Sequence, residues 1–310
     1  MTELRYEELP PSMTGRRSPS VLVYSRSSGD IRKGSLNTFV EMLDRGDVVI
    51  FNDSLTLPAD LPLDPNRSPI RFFNFRSDGC MAISDWVPPG PSLHELGLQL
   101  ESHDDELMNF RYSNRTLFMK TLLRSGRIVT YGEVPLALEN YRGPFSYVPG
   151  SCEFPSASFH FNRKIISEMR ARGVSVETIT LHTSASGLKE EGSVPRDEHY
   201  KIPRKTAEII RDAIRRKARI IAVGTSSARA IESYDALNMT DLEETTSVIL
   251  KNDRKPLVAT GIVTGFHDRG SSHYELIRSF VDSDVLERIN SIAMNSSLSS
   301  GMFGDLCIIV

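Results

Sequence analysis

Ile220-Ile221-Ala222-Val223-Gly224-Thr225-Ser226-Ser227-Ala228-Arg229-Ala230-Ile231-Glu232 is the stretch that decides the fold class. A short apolar, β-branched run enters a Gly-Thr-Ser-Ser turn, and a helix carrying Arg229 and Glu232 leaves it. Glycine lets the backbone approach a ligand closely, and the first amides of a helix lack internal partners at the positive end of its dipole. The stretch reads as a strand–turn–helix unit suited to an anionic or polar group. Arg229 and Glu232 stand three apart, so an ion pair between them is the plain structural reading.

Working outward, the same alternation recurs on both sides. Val21–Tyr24 and Val48–Phe51 read as strands, with a helix over about Leu36–Asp44 between them, stopped by Gly46 as a left-handed cap. Asn162 is expected to cap a helix that runs to Arg172 with Gly173 just beyond, followed by the strand Val174–Leu181. Arg204–Lys217 reads as a helix with a basic outer face, and further helices are expected at Ser226–Leu237, His273–Val281 and Asp284–Met294. Leu306–Val310 closes the chain as an apolar strand.

Residues from about 61 to 130 differ. Prolines from Pro58 to Pro69 break regular structure, and Ile70–Phe75 and Met81–Val87 flank Ser77-Asp78-Gly79, a turn of the kind that supports positive φ. One amphipathic helix, Arg115–Arg124, follows. The expected fold is α/β: a larger α/β domain built from both chain ends (1–60 and 131–310), with a small β-barrel-like domain inserted at 61–130.

With 310 residues, a formal net charge of -3 and 39% hydrophobic residues, the chain can bury a full core and has no overall electrostatic bias toward nucleic acid. Cys80, Cys152 and Cys307 are odd in number and far apart, which reads as reduced thiols in a cytoplasmic protein. The polar, acidic N-terminus does not read as a signal peptide, and no apolar run is long enough to span a bilayer. Walker, His-Glu-x-x-His and Gly-x-Ser-x-Gly patterns are absent, so metal-free polar catalysis is the default expectation.

Four segments place polar residues where a strand ends: Phe51-Asn52-Asp53, Leu181-His182-Thr183-Ser184, Val223-Gly224-Thr225-Ser226-Ser227 and Phe266-His267-Asp268-Arg269. Ligands of open α/β sheets bind outside the carboxyl ends of strands, so a shared pocket of imidazoles, hydroxyls and an arginine is expected. His199 and His273 receive no role at this stage.

The chain resembles the S-adenosylmethionine:tRNA ribosyltransferase-isomerase family of queuosine biosynthesis. The resemblance rests on Gly46–Asp53 with Leu57-Pro58-Ala59, Pro155–Phe161, Thr180-Leu181-His182, Glu198 and Tyr200 ahead of Ile202-Pro203, Val223–Arg229, Thr264, Phe266-His267 and Gly304-Asp305. It implies S-adenosylmethionine as substrate and no metal. The implied reaction moves the ribosyl part of that molecule to a 7-aminomethyl-7-deazaguanine base in tRNA, with loss of adenine and methionine. The sulfonium acidifies the adjacent 5′ carbon and leaves as a neutral thioether. The resemblance puts His182, His267 and Arg229 in catalytic roles, with Asn52, Asp53, His160, Gly224, Thr225, Ser226, Ser227 and Phe266 binding S-adenosylmethionine. Replacing His182 or Arg229 by alanine is expected to impair turnover without unfolding the protein.

Departures from the family pattern gather at the same places. Serines stand at Ser184 and Ser186 where the family has glycines, Asp60 replaces an arginine, and Gly265-Phe266-His267-Asp268-Arg269 replaces Asn-Phe-His-Leu-Pro. Two alternatives therefore stay open. One is a paralogue that uses S-adenosylmethionine in small-molecule chemistry, for instance closing its aminobutyrate part to a cyclic amino acid with release of methylthioadenosine. The other is a binding protein without catalysis. The partner is accordingly tRNA or a small molecule; tRNA would use a basic face such as Arg204, Lys205, Arg211, Arg215 and Arg216.

Overall fold

A computed structural model describes residues 4–10, 13, 18–129, 136–184, 197–251 and 253–310. Its centre is four parallel strands, Ser175–Leu181, Val48–Asn52, Ile220–Val223 and Gly261–Gly265, adjacent in that order. The inner two are buried at every position. They therefore read as continuous apolar runs, as expected where helices cover both faces of a parallel sheet. Five more strands extend this to nine. Leu306–Ile309, Val21–Tyr24 and Ile31–Gly34 lie on one side, Glu198–Lys201 and Glu243–Thr246 on the other.

Alternate residues of the strands serve two cores, the period-two consequence of the pleat. Val49 and Phe51 face the helices Leu36–Glu41 and Arg163–Ala171, packing with Phe39, Phe161, Ile165 and Met169. Val48 and Ile50 face the other side, where Ala207, Ile210 and Ala213 come from the helix Arg204–Arg216 and Ile289 from Ser283–Asn295. Asn162 caps the Arg163 helix through its Oδ1, which accepts from the Ile165 amide at 3.0 Å, and Gly173 follows at φ +83°.

Between residues 60 and 125 lies a five-stranded antiparallel sheet with its own apolar core of Leu57, Ile70, Phe72, Met108, Phe110 and Phe118. The strands run in the order Asp60–Leu61, Ile70–Phe73, Gly79–Ile83, Leu107–Tyr112, Leu98–Asp104. The two outermost strands do not pair with each other, so the described residues form an open sheet, without the closure that a barrel requires.

Three local expectations are corrected. The helix after Gly224 spans Thr225–Ile231 and does not reach Leu237. The Ser233 hydroxyl takes the Arg229 carbonyl at 2.6 Å, and Asp235 accepts the Leu237 and Asn238 amides at 3.0 and 2.9 Å, so the chain turns there. The Leu36 helix ends at Glu41, well before Gly46, because the Arg172 guanidinium takes the Glu41 and Leu43 carbonyls. Positive φ in the first hairpin of the antiparallel sheet falls at Asn74 (51°), ahead of Ser77-Asp78-Gly79.

Candidate functional site

The carboxyl ends of the parallel strands open into a cleft of about 270 Å³. All four predicted segments reach it, through Asn52, Thr183, Val223–Ser226 and Thr264–Asp268. Its other walls come from the turn Glu153–Ser158, from Ser300–Met302, and from Tyr6, Val129, Ser271 and His273. Tyr6 arrives because Arg5–Tyr6 pairs in parallel with Ser299–Ser300. The Gly304-Asp305 motif builds that wall: Asp305 accepts from the Ser299 and Ser20 amides at 2.8 and 2.6 Å. A Cβ on Gly304 would come within 2.4 Å of the Ser300 carbonyl oxygen.

Within the cleft, Gly224 takes φ +92°, a conformation that glycine adopts without strain, and its amide donates to the Val263 carbonyl at 2.7 Å. Thr225 and Ser226 follow on the cleft wall, while the Ser227 hydroxyl is fully buried and spent on the Val223 carbonyl at 2.8 Å. Asn52 is a fastener: its amide group donates to the Leu181 carbonyl at 2.9 Å and to Ser226 Oγ at 3.1 Å, and its oxygen accepts the Ser54 and Leu181 amides. Phe266 forms part of an apolar wall with Phe154. Glu153 and Asp268 add two carboxylates.

His267 and His273 both line the cleft, with rings stacked at 4.7 Å between centroids and 13° between planes. The Nε2 atom of His267 is 3.1 Å from Thr264 Oγ1. Burial, reinforced by His273, holds His267 well below the usual imidazole range. Burial also lowers His273; Glu153 opposes this and Arg229 adds to it. His273 carries no role in the sequence, since a helix-start histidine shows no sign of what it will stack on.

Other predicted residues stand behind the cleft. His182 is buried, with Nδ1 2.7 Å from Ser54 Oγ and its ring stacked on His199 at 5.8 Å. Burial, with His199 adding to it, lowers it to about 4. Its contact with the cleft is indirect: Ser54 Oγ lies 2.6 Å from Ser151 Oγ, which accepts the Thr183 amide, and Thr183 Oγ1 donates to the Glu153 carbonyl at 2.6 Å. Arg229 is buried and pairs with Glu198, while its Nε donates to the Val248 carbonyl at 3.0 Å. The expected pairing with Glu232 does not form, because Glu232 accepts the Leu257, Val258 and Ala259 amides. Glu198 also accepts from the Ser184 amide and hydroxyl at 2.7 and 3.2 Å, so the Ser184 side chain turns inward and away from the cleft wall. Ser186 lies outside the described residues.

Asp53 accepts from Thr180 Oγ1 at 2.6 Å, its carboxyl raised by burial against that bond, and it does not line the cleft. His160 is set edge-on to Phe159 outside the cleft wall. Asp60 is held by Arg71, which grips it with two bonds of 2.7 and 2.9 Å. All three cysteines are buried and free, and among the described residues no cluster of three or more metal-ligating side chains occurs. No described helix is long and apolar enough to cross a membrane.

Residues 7–309 match the profile of the family described as "Queuosine biosynthesis protein". The chain belongs to that family. Relatives named S-adenosylmethionine:tRNA ribosyltransferase-isomerase include that of Rickettsia bellii, 25% identical over 98% of this chain and 96% of its own. The same name is borne by a Desulforamulus reducens protein at 26% identity, with 91% and 90% covered. This queuosine biosynthesis family member also matches a crystal structure of S-adenosylmethionine tRNA ribosyltransferase from Thermotoga maritima. That match has a TM-score of 0.56 at 19% identity, covering 100% of this chain and 99% of that one, and is a likeness of fold.

Proposed function

We propose that this chain is an S-adenosylmethionine-using transferase and isomerase that moves the ribosyl part of that molecule to a 7-aminomethyl-7-deazaguanine base of tRNA. The observation that carries the reading is the convergence of Asn52, Val223–Ser226 and Thr264–His267, three of the segments that bear the family resemblance, on one cleft. We read 1–60 with 131–310 as the α/β domain that holds the cleft, and 61–130 as a small inserted domain built on the open antiparallel sheet.

The chemistry needs a base near the 5′ carbon, negative charge near a sulfonium, and a surface for an aromatic base. A neutral imidazole has the lone pair that a base requires, and burial keeps His267 in that form at neutral pH. Glu153 and Asp268 offer carboxylates to the sulfonium, and Phe154 and Phe266 offer apolar walls to adenine. The Gly224-Thr225-Ser226 turn supplies backbone and hydroxyls for ribose or the methionine carboxylate. His182 and Arg229 act from the second layer, through Ser54, Ser151 and Thr183 in one case and through Glu198 and Ser184 in the other. Asp53 and His160, which do not line the cleft, take no direct part in this reading. Exposed Arg204, Lys205, Arg215 and Arg216 on one helix supply phosphate contacts for tRNA.

The named relatives are all ribosyltransferase-isomerases, and neither the cyclisation nor the binding-only alternative gains support from them. The test is product analysis after incubation with S-adenosylmethionine, with and without tRNA carrying the aminomethyl precursor base. Adenine and methionine released only with that tRNA are expected. Methylthioadenosine formed without RNA, or binding without turnover, overturns the reading.

A further inference from the structure

The cleft contains a feature that the family resemblance does not assign, the parallel stack of His267 and His273. Two imidazolium rings at a centroid distance of 4.7 Å would repel strongly in a half-buried site, whereas one charged and one neutral ring stack without conflict. The charged groups around the pair are not symmetric. Glu153 favours a proton on His273 and Arg229 disfavours it, while His267 has the Thr264 hydroxyl as its hydrogen-bond partner. Asp268 and Tyr6 complete the titratable groups that line the cleft among the described residues.

We propose that His273 is a positioning residue for His267, the two stacked rings forming one proton-holding unit in which an incoming proton settles on His273 and His267 is kept free to act as base. To act as a base through Nδ1, neutral His267 carries its proton on Nε2 and donates it to Thr264 Oγ1, which leaves the Nδ1 lone pair for a bound ligand. The catalytic meaning of the pair rests on the ribosyl-transfer reading, but its titration does not.

The test is an NMR titration of the histidine ring resonances in the full chain, assigned with His267→Gln and His273→Gln. In the wild type His273 takes the first proton and His267 stays neutral to much lower pH, the two behaving as a coupled pair. In H273Q the midpoint of His267 moves up by about 1–2 pH units, the expectation for removing a like charge at this range. In H267Q the midpoint of His273 moves little, because it already protonates first. An identical His267 titration in wild type and H273Q, or a large shift of His273 in H267Q, overturns the proposal. Should H273Q not fold, H273N carries the same comparison. Where turnover is measured, the acid limb of kcat/KM moves to higher pH in the His273 variant. The titration needs no substrate, so an inactive protein with the expected shift refutes only the functional reading. An active protein without the shift refutes only the pair.

Discussion

Two histidine pairs of nearly the same construction stand on opposite sides of one wall. His267 and His273 stack inside the cleft; His182 and His199 stack behind it, at 5.8 Å with 20° between planes. Burial lowers His267, His273 and His182 alike. The difference lies in what each ring touches. His267 is held by Thr264, itself a cleft residue, whereas His182 is held by the Ser54 hydroxyl, which is fully buried and is linked to the cleft through Ser151 and Thr183. A Cβ on Gly150 would lie 2.5 Å from the His182 ring, so backbone closes tightly over that side as well. Similar burial and stacking thus leave one imidazole on the cleft wall and the other behind it.

Removing one ring from each pair tests whether the two differ in function. His267→Ala is expected to lower kcat for adenine release by about 10²–10⁴-fold, the usual loss when a general base is deleted, with little change in stability. His182→Ala is expected to lower it less and to cost about 1–3 kcal/mol of stability, because the buried Ser54 hydroxyl loses a partner. Equal losses of rate with unchanged urea midpoints would place His182 at the chemistry and erase the distinction.

Arg229 extends the same logic to the deeper layer. With its side chain 9% exposed and its partner Glu198 at 8%, this is a buried ion pair. Arg229→Met strands the carboxylate, and the expected loss is about 3–5 kcal/mol in urea denaturation. The sequence-based expectation is that Arg229→Ala impairs turnover without unfolding the protein; the burial of the pair adds a loss of stability to that expectation. Replacing both partners with apolar residues recovers most of the stability. If the single variant denatures like the wild type, the pair does not organise the Ser184 turn.

These contrasts also mark what could be read in the residues alone. The Gly224 turn was legible because its chemistry is local: an apolar run, a glycine with positive φ and a helix start adjoin in sequence. The convergence of strand ends was legible because the alternation of strands and helices implies a parallel sheet whose ligands bind at one edge. Which histidine faces the cleft was not, since both His182 and His267 follow a strand and only packing separates them. Glu153 and Tyr6 were missed because pairing between distant segments brings them to the cleft. The partner of Arg229 was misjudged because Glu232 is drawn off by three backbone amides far along the chain. Inward placement of Ser184 could not be foreseen without Glu198 beside it.

A pH effect separates scaffold from cleft without substrate. Burial, with His199 adding to it, lowers folded His182 to about 4, against the ordinary imidazole value of 6.5 in an unfolded chain. Above 6.5 both states hold it neutral, so its contribution to stability is fully present there. As pH falls below 6.5 the unfolded chain gains a proton that the folded one refuses, and stability falls, with a slope approaching about 1.4 kcal/mol per pH unit until the folded ring also protonates. His267 and His273 act with the same sign, so the informative quantity is the change between variants. His182→Asn should flatten the fall between pH 6.5 and 4 by one proton, read from urea midpoints across that window. An unflattened slope would mean that the ring is charged in the folded protein, and that Ser54 accepts a hydrogen bond from it as a scaffold cation.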